Sequence, residues 1–96
     1  MIIIAGYFQL DASDRDRYVD AHVELVVRAR QTEGCVDLAI SADPVDPTRV
    51  NNYELWDNEE DLLAWRSVAN PPRLELDFRG GHMAKYYIAK TGPVFG

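Results

Sequence analysis

The chain has 96 residues, 47% of them apolar and 27% charged, with a net charge of −6 at pH 7. This length suits a single domain over 1–96 with one core and no linker, and the composition excludes both disorder and a disulfide scaffold. The acidic balance, with no basic run beyond the Arg28 and Arg30 pair, excludes the electrostatic footprint that nucleic acid requires.

The apolar stretch Met1–Ala5 has no basic flank and is too short for a signal peptide's apolar segment or a membrane span, so the expected location is the cytoplasm. Residues 2–10 are rich in β-branched and aromatic types and run into the polar cluster Asp11-Ala12-Ser13-Asp14, which predicts a strand followed by a helix N-cap. From Arg15 to Thr32, Tyr18, Ala21, Leu25 and Ala29 recur at the spacing of one helical face, and Gly34 supplies the stop. His22 falls on that stripe and is expected to point at the sheet.

Residues 35–42 alternate through Val36, Leu38 and Ile40 and stop at Asp43-Pro44-Val45-Asp46-Pro47, which predicts a second strand and a loop. Residues 49–56 predict a third strand, antiparallel to the second. Asp57 and Glu60 have the spacing of a capping box opening a helix through Leu62, Leu63 and Trp65, ended by Asn70-Pro71-Pro72. The alternation of Leu74, Leu76 and Phe78 fits an edge strand or a short irregular helix, and the short helix is preferred. After Gly80-Gly81, residues 82–90 predict the last strand.

The order is βαββαβ, a ferredoxin-like α+β fold with both helices on one face of a four-stranded antiparallel sheet. Strand one is apolar at nearly every position, which suits a sheet covered on both faces. A second copy supplies that cover, giving a homodimeric α/β barrel.

No metal-ligand spacing joins the two histidines and the single cysteine, Cys35, which reads as a small buried hydrophobe. Gly80-Gly81 is too short to cradle a phosphate, so neither a metal nor a nucleotide cofactor is expected. On strand three, Asn52, Glu54 and Trp56 share one face by period two. An amide, a carboxylate and an indole in one row make a site for a flat oxygenated ring, although the same spacing fits a core strand with a polar end.

The stretch Asn52-Tyr53-Glu54-Leu55-Trp56-Asp57-Asn58-Glu59-Glu60, with Glu33-Gly34-Cys35 before it and Leu62, Leu63 and Trp65 after it, resembles the antibiotic-biosynthesis-monooxygenase family. The resemblance implies a dimeric α+β barrel and oxidation of phenols or quinols by O₂ with no metal, flavin or other prosthetic group. In the polyketide-oxidising members an Asn and a Trp at the spacing of Asn52 and Trp56 contact substrate, and Leu62 stands where some carry a tyrosine. Trp65 stands where many members have a histidine, which leaves His22 as the candidate base, a side-chain type that exchanges its proton near neutral pH.

Glu54, Leu62, Trp65 and Arg73 complete the expected substrate contacts, with Arg73 and Arg79 near the entrance. His82 reads as a solvated strand end. Trp65 is also similar to a tryptophan of the family's haem-degrading branch, but that branch ligates iron through a later histidine where this chain has Leu76. An isomerase of a small hydroxyketone and a non-catalytic module that binds a hydrophobic metabolite are the alternative functions.

Overall fold

The computed structural model describes all 96 residues. Its elements are β1 (Ile2–Gln9), α1 (Ala12–Ala21), α2 (Val23–Arg30), β2 (Cys35–Ala42), β3 (Arg49–Trp56), α3 (Glu59–Val68) and β4 (Gly80–Tyr87). The strands form one antiparallel sheet in the order β2-β3-β1-β4. The fold is the ferredoxin-like α+β arrangement, with its first helix broken once.

That break lies at His22 and has a local cause. The ring Nδ1–H donates to the carbonyl oxygen of Tyr18 at 2.7 Å, while the His22 backbone N–H goes to Val19 at 3.1 Å. A side chain occupying the carbonyl four residues back loosens the helical ladder there. The helix expected from Arg15 to Thr32 is therefore two segments, beginning at Ala12. Asp11 sits at the N-cap of α1 without a side-chain cap bond, because its carboxylate pairs with Arg79.

At α3 the expected capping box is displaced by one residue. The backbone N–H of Asp57 donates to Gly34 at 2.8 Å, extending the strand pairing, so Asn58 caps the helix by accepting from the Asp61 N–H at 2.8 Å. Gly34 takes φ +83, and a Cβ there would lie 2.2 Å from the Asp61 side chain. The turn into β2 therefore needs glycine on both conformational and steric grounds.

The short helix preferred for 73–79 is absent. Pro71 and Pro72 cannot donate, Asn70 takes φ 45, and the segment crosses the molecule without regular structure. Its backbone bonds include Leu76 N–H to Leu74 at 3.1 Å and Arg79 N–H to Gln9 at 2.8 Å. The last strand opens at Gly80, earlier than the expected position 82, because the Arg79–Gln9 bond already starts its pairing with β1. In β2, a bulge between Cys35 and Asp37 turns Val36 out to 52% exposure, so the alternation expected through Val36 fails at that residue.

Ile2, Ile4, Leu25, Ala29, Leu38, Trp56, Leu62 and Trp65 form the core between sheet and helices. The molecule's shortest dimension is 19 Å, which accommodates one sheet and one helix layer. Ile3, Tyr53, Leu55 and Tyr86 consequently lie on a sheet face that no helix covers.

Candidate functional site

The register of the sheet places the expected row. Ile2 pairs with Trp56, Ile4 with Glu54 and Gly6 with Asn52, so the even-numbered side chains of β3 share the face on which Ile2 and Ile4 are buried beneath the helices. Glu54 joins the row together. Its Oε1 accepts from the Trp56 indole N–H at 3.0 Å and its Oε2 accepts from the Asn52 Nδ2–H at 3.3 Å. One carboxylate thus satisfies a buried indole and fixes a neighbouring amide, leaving the second amide N–H and the amide oxygen of Asn52 uncommitted.

Trp56 is fully buried, and Trp65 stacks near it with ring centroids 6.5 Å apart. The Arg28 guanidinium lies over Trp65 at 5.5 Å and donates to the Ala69 carbonyl at 2.7 Å, tying α2 to the end of α3. Leu62 is also fully buried. Trp56, Trp65 and Leu62 therefore act as core residues in this arrangement, and the substrate contact expected of Trp56 is closed off by its own enclosure. Arg73 is exposed.

Three hollows mark the molecule, and none is lined by Asn52, Glu54, Trp56, Leu62, Trp65, His22 or Arg73. The row expected to receive a flat oxygenated ring is therefore closed at one end, where tryptophan packing surrounds Trp56. Asn52 and Glu54 remain half-buried and are its reachable polar groups.

The largest hollow, about 700 Å³, lies at the start of β4 and is lined by residues that include Phe8, Tyr18, Phe78 and Met83. His22 is linked to it through Tyr18, whose ring stacks on the imidazole with centroids 4.0 Å apart. Burial pushes the Tyr18 phenol above its ordinary range. The Nδ1 of His22 is committed to the Tyr18 carbonyl, which leaves Nε2 as the nitrogen without a hydrogen-bond partner. Sequence reasoning placed Tyr18 and Phe78 only in helical and alternating patterns. Phe8 and Tyr18 are brought edge to face at 5.0 Å by tertiary packing, which spacing along the chain does not show.

Cys35 packs against the core, and its thiol is raised first by burial and then by the charges of Glu54 and Asp37. No cluster of His, Cys, Asp and Glu has the geometry to hold a metal ion. Leu76, at the place where the haem-degrading branch would supply its iron ligand, has no donor atom.

The element order and the sheet define a ferredoxin-like α+β protein. The chain belongs to the antibiotic biosynthesis monooxygenase family, whose sequence pattern matches residues 1–69. It is similar to a candidate monooxygenase of that name from Deinococcus radiodurans at 18% identity, with 100% of each chain covered and a TM-score of 0.71. A second, from Nitrosomonas europaea, is 16% identical over 94% of this chain and 100% of its own, with a TM-score of 0.71. A haem-degrading protein of Mycobacterium tuberculosis with two haems in its active site is 9% identical over 97% of this chain and 100% of its own, with a TM-score of 0.68. At these identities the likeness concerns the fold. No curated protein matches the sequence.

Proposed function

We propose that the protein is a cofactor-independent monooxygenase that oxidises a phenolic, quinol or polyketide-type aromatic with O₂, acting as a homodimer. The observation that carries this reading is the joined row of Asn52, Glu54 and Trp56 beneath the helices, with the Asn52 amide held by Glu54 at 3.3 Å. An amide fixed before substrate arrives stabilises developing negative charge without reorganising, which is the largest contribution many enzymes make.

Between that amide and the hollow lies Gly6, which pairs with both Asn52 and Met83. The β4 backbone fills the place its side chain would take, a Cβ there lying 1.9 Å from the His82 carbonyl oxygen, so substrate access needs a movement of the chain. At ordinary strand spacing Asn52 stands about 10 Å from Met83 in the hollow wall. The segment after Pro72, tied by few backbone bonds, is the stretch beside the hollow that yields most readily.

In the proposed reaction His22 Nε2 takes a proton from the substrate, and the second Asn52 N–H holds the resulting oxyanion. The electron-rich anion passes one electron to O₂, and the two radicals combine to a peroxide at carbon. The O–O bond then breaks, leaving one oxygen as the new carbonyl. The other departs as water with the two hydrogens the substrate has lost, both from the methylene of an anthrone, or one from the ring C–H and one from the O–H of a phenol or quinol. Glu54 positions Asn52, and Trp56 positions Glu54.

Oxygen uptake tests this reading. With a panel of quinols and anthrones, wild type is expected to consume one O₂ per quinone formed. Asn52→Ala is expected to slow turnover by about 100-fold, the scale of losing one oxyanion donor. Equal rates in wild type and variant across the panel would reject the assignment.

A further inference from the structure

We propose that the hollow at the start of β4 binds a planar aromatic acid, its ring against Phe8, Tyr18 and Phe78 and its acid group on Arg79. This deepens the monooxygenase reading by naming the substrate class. It rests on that reading only for what happens to the bound molecule.

The hollow, about 700 Å³, is a broad open depression in which a flat molecule would lie with one side toward water. Its apolar corner is built from three rings in mutual edge-on contact. Phe8 meets Tyr18 at 5.0 Å and 77°, Phe8 meets Phe78 at 5.2 Å and 72°, and Tyr18 meets Phe78 at 6.2 Å and 82°. Each such contact takes the edge of one ring and a face of the other, and His22 stacks on Tyr18, so the aromatic surface left for a flat guest is chiefly that of Phe78. Phe78 stays 61% exposed at the end of an irregular segment, an apolar ring held at the surface where a ligand can cover it.

The floor lacks side chains. Gly81 takes φ +144, and a Cβ there would lie 2.4 Å from the Tyr7 carbonyl oxygen and 2.6 Å from the Phe8 Cα. Any other residue would strain the backbone and collide with β1. The hollow therefore depends on the glycine that sequence reading treated only as a breaker.

Its charge points to an anion. The protein carries a net charge of −6, yet no carboxylate residue lines this hollow, and on the side of Phe8 and Tyr18 its cation is Arg79. Arg79 is 62% exposed and spends Nη2 on Asp11, which leaves most of its five N–H donors unused. A guanidinium with free donors beside aromatic faces favours a carboxylate on a ring over a neutral ring of the same shape. Residues 78–83 fall outside the stretch that matches the family pattern, so the inference stands on this chain's own side chains.

The test is equilibrium binding of 2-naphthoate and its neutral analogue 2-naphthamide, read by titration calorimetry and by amide NMR shifts. Wild type is expected to bind naphthoate roughly tenfold tighter than the amide, with the largest shifts at residues 78–83. Arg79→Gln is expected to remove that preference while leaving naphthamide affinity unchanged, and Phe78→Ala to weaken both ligands. Asp11→Asn, which frees Arg79, is expected to keep or increase the preference, so loss of the ion pair is separated from loss of the cation.

Equal affinity for the two ligands in wild type overturns the proposal. So does a preference that survives Arg79→Gln, or shifts confined to another face. Binding of naphthoate without oxygen uptake on any hydroxylated acid would remove the monooxygenase reading and leave this site standing. Oxygen uptake on neutral quinols without naphthoate binding would do the reverse.

Discussion

Glu54 accounts for more of the helix-side chemistry than any other single residue. Its two oxygens satisfy the indole of a fully buried Trp56 and the amide of Asn52, and no enclosed side-chain nitrogen or oxygen is left without a partner. Glu54→Leu would orphan the indole N–H inside the core, at a cost of about 1–3 kcal/mol. The expected result is a lower midpoint of urea denaturation with an unchanged slope. Glu54→Gln keeps an acceptor for the indole and is expected to lose less than half as much. A midpoint unmoved by Glu54→Leu would show that water or another group takes over the indole.

At the scale of elements, two termini carry separate predictions. Asn58 caps α3, so Asn58→Ala should destabilise the protein by about 1 kcal/mol, read as a fall in Tm. Asp57→Ala, at the position the sequence pattern favoured, should cost distinctly less. In the β2–β3 loop the hydrogen bonds from the Asn51 side chain and the Asp46 and Val45 backbone hold the Asp43 carboxyl at about 2, below its ordinary 3.8. Because the folded value is depressed, this contribution is complete above the ordinary value and is lost as pH falls toward 2. Melting curves between pH 6 and pH 2 should fall more steeply for wild type than for Asn51→Ala, which lacks the largest cause of the shift.

These same elements show what the sequence could reveal. Strand and helix types followed from period and composition because each element buries one face, as Leu25 and Ala29 do in α2. The His22 break and the Val36 bulge were hidden because each depends on where one side chain or one extra residue sits against its neighbours. The helix preferred for 73–79 failed because alternation cannot separate a strand from a chain that runs extended alone: Leu74 and Leu76 turn inward while Arg73, Glu75 and Asp77 face solvent. At the site, period two placed Asn52, Glu54 and Trp56 on one face. It could not show that Glu54 would link the other two, or that tryptophan packing would close one end.

For the whole molecule the decisive feature is the sheet face without helices. Tyr53 is 37% exposed, Met1 46% and Tyr86 49%, and Ile3 and Leu55 stand beside them around a groove of about 490 Å³. Small residues at the paired Ala5 and Ala84 keep the middle of that face low, so a second sheet can approach closely. A contiguous apolar face of this kind on so small a protein is costly in water, and a second copy lying across it removes that cost for both chains. Sedimentation equilibrium at tens of micromolar is therefore expected to give twice the 10.9 kDa chain mass. Tyr53→Glu combined with Tyr86→Glu places like charges on a face that meets itself, so it should shift the population to monomer and lower Tm in a concentration-independent way. Glu59 lies on the helix side, bonded to Lys85 and Tyr87, and Glu59→Gln should leave the association intact. A wild-type chain that sediments as a monomer at these concentrations, with a Tm independent of concentration, would show that this face is stable in water and that each site works within a lone subunit.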